Sequence, residues 1–165
     1  NALSTELRSR ARELDPQGLC ISANAAAKLG FGTEVFTALY AQVPRHLSRY
    51  SGRQLAMICH AWAKAHMHND DLFALLSMQL LQRVRTLTAH EIAITVYGYA
   101  HFRKAPPELF EPLLARFGEL LRGDSVTTPD LLMLANALGR ISWQDGEVAA
   151  ALQKYADREP NLPNV

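Results

Sequence analysis

One amphipathic helical pattern recurs four times along this chain, and that recurrence constrains the fold more than any other feature. Alignment on Leu19, Leu55, Ile92 and Leu131 gives steps of 36, 37 and 39 residues. Four residues before each anchor stands a helix N-cap type: Asp15, Ser51, Thr88 and Thr127. Pro16 follows the first cap at the favoured first helical position, and Thr88 with Glu91 predicts a capping box. Small residues follow six and eight places after each anchor: Ala25, Ala61, Gly98, Ala137, and then Ala27, Ala63, Ala100, Gly139. Between them stand Ala26, Trp62, Tyr99 and Leu138. Such a helix has an apolar stripe and room for close approach by a neighbour.

A second helix alternates with the first. The segments TEVFTALY, DDLFALLS, PELFEPLL and GEVAAALQ align on Phe36, Phe73, Phe110 and Ala149, with a leucine three places on at Leu39, Leu76, Leu113 and Leu152. The connectors LGFGT, AHMHN, RKAPP and SWQDG are short and carry turn residues. Pro44 and Pro112 fall inside the second-helix pattern, which predicts a kink or a late start at each. A two-helix unit of about 37 residues buries its apolar face only by stacking on copies of itself.

The expected fold is therefore all-α, an α-solenoid of four such units plus part of a preceding one. Its expected divisions are 1–13, the end of a preceding helix; 14–50, 51–86, 87–125 and 126–159, the four units; and 160–165, a tail or the start of a further unit. Leu3 and Leu7 fit the tail of an earlier second helix, and Asn164 falls where a next N-cap belongs. That register reads as cut from a longer array.

Composition narrows the function. At 165 residues and 48% hydrophobic, the chain has the material for a sizeable core. Seventeen basic residues against sixteen acidic leave a net charge of +1, which does not by itself advertise a nucleic-acid ligand. Two cysteines are too few for a disulfide scaffold, so a reducing compartment is expected. No apolar run approaches the roughly 20 residues of a membrane span. No leader pattern is present, so any targeting segment has been removed or lies outside these residues.

The stretch QLAMICHAWAKAH looks at first like a site. Cys59, however, occupies the position filled elsewhere by Ala23, Val96 and Ala135, a core position. His60 points about 100° away from it on a helix, so the two cannot grip one ion. His66 and His68 lack a second ligand pair at zinc spacing. No nucleophile–base arrangement, phosphate-binding loop or dinucleotide fingerprint is present, and the glycines of LGFGT read as a turn. No catalytic residue, metal, cofactor or small-molecule substrate is expected.

The face of the first helix opposite its core carries the candidate site. Two places after each anchor stand Ile21, Met57, Ile94 and Met133; five places after, Asn24, His60, Tyr97 and Asn136; nine places after, Lys28, Lys64, His101 and Arg140. The first column offers apolar contact, the second hydrogen bonding, the third positive or titratable charge. That combination suits single-stranded RNA: flat contact for bases, polar groups for base edges, cations for phosphates. An ordinary solvated stripe accounts for the same cations, because positive charge near helix C-termini complements the helix dipole. The same rule covers Arg10, Arg12, Arg45 and Arg49, then Arg83, Arg85 and Arg122, and the acids Glu34, Asp70, Asp71, Glu108 and Glu147 at helix starts. Both readings stay open on the sequence.

Leu55, Ala56, Ala61, Trp62, Ala63 and Ala65 resemble the Leu-Ala…Trp-Ala-x-Ala first helix of octotricopeptide and heptatricopeptide repeats, the other three units more loosely. The resemblance implies a pentatricopeptide-like α-solenoid in an organelle, mitochondrial rather than chloroplast. It implies RNA binding within a ribonucleoprotein such as a mitochondrial ribosome or an RNA-processing or editing complex. The alternative is a protein–protein scaffold among the subunits of such an assembly. Members often carry a C-terminal RAP domain, of which these residues hold no sign.

Overall fold

The computed structural model describes residues 2–158, and among them every regular element is helical. Nine α-helices follow one another: α1 (Ala2–Arg10), α2 (Pro16–Lys28), α3 (Thr33–Tyr40), α4 (Gly52–Lys64), α5 (Asp70–Leu81), α6 (Ala89–His101), α7 (Pro107–Arg122), α8 (Thr128–Arg140) and α9 (Gly146–Arg158). Single turns of 3-10 helix follow α1 and α5, and a longer one, Val43–Arg49, follows α3. The expected division at 160–165 and the N-cap at Asn164 lie outside the described residues.

The helices form two layers. In layer A, α2 packs on α4, α4 on α6 and α6 on α8. In layer B, α1 packs on α3, α5 on α7 and α7 on α9, while each layer-A helix also meets the layer-B helix that follows it. All four layer-A helices are thirteen residues long. Their layer-B partners run to 8, 12, 16 and 13 residues.

Local chemistry explains where layer-A helices begin. The side chains of Asp15, Ser51, Thr88 and Thr127 each accept from the backbone N–H three residues on, at 2.7, 3.2, 3.2 and 3.4 Å. The Thr88–Glu91 capping box is present, and Ser51 forms a second with Gln54. The ends are equally regular. Gly30, His66, Arg103 and Ser142 have φ of 66°, 58°, 55° and 55°. The next residue's N–H then reaches back to the carbonyls of Ala26, Trp62, Tyr99 and Leu138, at 2.9 to 3.0 Å. This is the Schellman closure, repeated in one register.

The core lies between the layers. The anchors Leu19, Leu55 and Ile92 are fully buried and Leu131 nearly so. Trp62 meets Phe36 edge-on at 5.0 Å, and Tyr99 meets Phe73 at 4.9 Å. Layer-A helices approach closely where small residues permit: a Cβ on Gly98 would lie 2.4 Å from Cys59 Sγ and 3.1 Å from its carbonyl oxygen. In layer B, Phe36, Phe73 and Phe110 are buried, but Ala149 is exposed and only Val148 of α9 is buried.

The prolines divide. At Pro44 the chain leaves the α-helix, α3 ending at Tyr40 and a 3-10 segment taking over, with His46 non-helical inside it. At Pro112 there is no late start: α7 runs unbroken through it and is the longest described helix. Pro112 lies in the second turn, and the bond it removes would have ended on the carbonyl of exposed Glu108. Leu113, Leu114 and Phe117, all buried, hold the remainder of the helix down.

Candidate nucleic-acid interface

The residues expected to form a stripe all lie on layer A, but the structure does not make them one uniform surface. Asn24 turns onto its own helix, its amide donating to the Cys20 carbonyl at 2.9 Å. Lys28, Lys64 and Asn136 are exposed. His60, Tyr97, His101 and Arg140 come together. The His60 and Tyr97 rings lie 5.6 Å apart, Tyr97 and His101 lie 6.1 Å apart, and the Arg140 guanidinium sits 5.7 Å from the Tyr97 ring centre. The apolar column is uneven: Ile21 is 54% exposed, Met57 and Met133 are half-buried, and Ile94 is buried at 6%. Ile94 belongs to the packing of α6, which, like α4, is flanked on both sides within layer A.

Two participants escaped the sequence reading. His66, at a helix C-terminus, faces His101 with 2.9 Å between His66 Nδ1 and His101 Nε2. His90, at the start of α6, lies 2.8 Å from Asp130 of α8. Neither contact was readable without knowing that positions 35 and 40 residues apart become neighbours. Burial holds His60 and His101 below the ordinary imidazole range, with Lys64 and His90 adding to the first and His66 and Arg140 to the second. Both are therefore neutral near pH 7.

Cys59 is buried and its thiol pushed up by desolvation, and Cys20 behaves alike. Each lies 3.5 Å from a carbonyl of the next layer-A helix, Cys20 from Gln54 and Cys59 from Thr95, in donor geometry. These are packing thiols. Among the described residues, no group of three His, Cys, Asp or Glu could hold a metal ion. No described helix is long and apolar enough to cross a membrane.

Charge divides between the layers although the total nearly cancels. The layer-A helices contain only two carboxylates. Glu91 accepts from the Thr88 backbone, and Asp130 is buried between His90 and Thr127. The same helices carry Lys28, Arg53, Lys64 and Arg140 exposed. Layer B holds Glu34, Asp70, Asp71, Glu108, Glu111 and Glu147. Its cations are more often engaged: Arg122 pairs with Glu147, and Arg116 with Glu119. Arg83 is half-buried among backbone acceptors, donating to the carbonyls of Tyr50 and Gln79 at 2.9 Å each. It complements the C-terminus of α5 at Gln79 and also clamps that helix to the Val43–Arg49 segment and Tyr50.

No known protein family and no curated protein matches this chain at the sequence level.

Proposed function

We propose that this chain is a non-catalytic RNA-binding module, an α-solenoid of four two-helix repeats of about 37 residues. The observation that carries the proposal is the layer-A surface: exposed cations, almost no free carboxylate, and the tyrosine–imidazole–guanidinium cluster at its centre. Cations at three of the four units suit a phosphate backbone, and a half-buried tyrosine beside a histidine suits a stacked base. Lys28, Lys64 and Arg140 serve the backbone by charge and His101 only as a neutral imidazole, while Asn136, His60 and Tyr97 serve bases. Asn24 serves them only if it gives up its bond to Cys20. The resemblance to octotricopeptide and heptatricopeptide repeats supports an organellar, mitochondrial setting within a ribonucleoprotein assembly. The scaffold reading draws on a different observation, an apolar groove on layer B.

Single-stranded oligo(U) and oligo(A) titrated across a salt series test the RNA reading. Replacing Lys28, Lys64 and Arg140 together by Gln should weaken binding and lower the salt slope by about 2, roughly 0.7 per lost phosphate contact. The control is Arg45, Arg85 and Arg158 changed to Gln, which leaves the Arg83 clamp intact. Equal weakening by the control would reduce the attraction to diffuse charge, and the reading would fail.

A further inference from the structure

Between α5 and α7 the layer-B surface opens into a groove of about 750 Å3. Phe73, Ser77, Tyr99 and Leu109 line it, together with Met78 and Leu81. A smaller trough of about 390 Å3 continues past Leu81 to Pro112 and Ala115. Met78 is 62% exposed and Leu81 45%, large side chains of the kind a soluble surface does not leave together without use. The floor is already satisfied: the Tyr99 hydroxyl lies 2.9 Å from the Phe73 carbonyl and 2.7 Å from Ser77. The groove therefore asks for apolar contact rather than for a polar ligand.

Its charge selects the occupant. The first turns of α5 and α7 carry Asp70, Asp71 and Glu108, and Asp70 and Glu108 line the groove at that end. Lys104, which also lines the groove, answers only Asp70, and among the described residues no cation pairs with Asp71 or Glu108, so the unanswered charge at the mouth is negative. The wall from Asp70 to Leu81 is α5 itself, twelve residues or about 18 Å, enough for three turns of a docked helix. We propose that this groove receives an amphipathic helix of a partner protein, with aliphatic side chains at three- and four-residue spacing and lysine or arginine beside the acidic mouth. Helix-in-groove recognition uses such anchors, and methionine adapts readily to them.

Two synthetic 14-residue helical peptides with identical leucine spacing, one flanked by lysines and one by glutamates, test this against the full chain. The lysine peptide should bind at least about tenfold more tightly, since like charges repel across an interface. Met78→Asp, at an exposed position, should cost that peptide about tenfold with helicity unchanged. Glu108→Lys should narrow the gap between the peptides. Oligo(U) binding should be unaffected by either variant, which separates this proposal from the RNA reading. Equal binding of the two peptides, undiminished binding to Met78→Asp, loss of RNA binding in that variant, or Met78-dependent dimerisation by sedimentation would overturn it.

Discussion

Gly30, His66, Arg103 and Ser142 close four helices with the same left-handed turn, yet only one of them is the residue that turn prefers. A non-glycine side chain there costs roughly 1 kcal/mol or more. Ser142 makes no side-chain hydrogen bond among the described residues, so Ser142→Gly should stabilise the protein by about 1 kcal/mol in urea unfolding. Gly98 is the converse: Gly98→Ala should destabilise by about 1–3 kcal/mol, because the Cys59 backbone blocks the new methyl. The imidazoles give a pH signature. His60 and His101 are held below their unfolded pKa by burial, so below about pH 6.5 the unfolded chain binds protons that the fold resists. Stability should fall as pH drops from 7.5 to 5.5, and His60→Gln should flatten that fall. A midpoint independent of pH would contradict this burial. The left-handed turns were legible only at Gly30, since His66, Arg103 and Ser142 carry no local sign of positive φ. Their shared register shows that the closing hydrogen bond selects the conformation and the side chain tolerates it.

Helix starts were the most legible elements, because an N-cap is a local bargain between one side chain and one orphan N–H. All four layer-A caps fall where the spacing put them, and Ser51→Ala or Thr88→Ala should each cost about 1 kcal/mol. What distant packing decides was not legible. Pro112 lies in an intact helix because buried Leu113 and Phe117 outweigh one lost backbone bond. Arg83, read as a surface cation, spans two elements whose proximity only the fold reveals. Arg83→Gln should therefore destabilise by about 1–3 kcal/mol, more than Arg85→Gln, in parallel thermal melts. The same blindness to distance explains the site: its residue types were readable, but the gathering of His60, Tyr97, His101 and Arg140 and the retreat of Ile94 and Asn24 were not.

Across the whole molecule, protection should follow the layering. The helices α4 and α6 are flanked on both sides within layer A, whereas α1 has no described buried residue and α9 only Val148. Hydrogen exchange should be slowest in α4 and α6 and fastest in α1 and α9. Uniform exchange would mean that the chain opens as one cooperative block. The equal length of the layer-A helices has its own consequence. Because each is thirteen residues, the irregularity in the steps of 36, 37 and 39 falls outside the layer-A helices: the connector leaving them holds 4 residues at 29–32 and 5 at 65–69, and layer B with its return holds 19 residues at 70–88 and 21 at 107–127. Layer A then acts as a ruler whose graduations stay fixed while the material behind them is edited. Residues inserted between Arg122 and Thr127 should leave the spacing of Lys64, His101 and Arg140 unchanged, whereas a single residue inserted within α6 would throw every later graduation out of step.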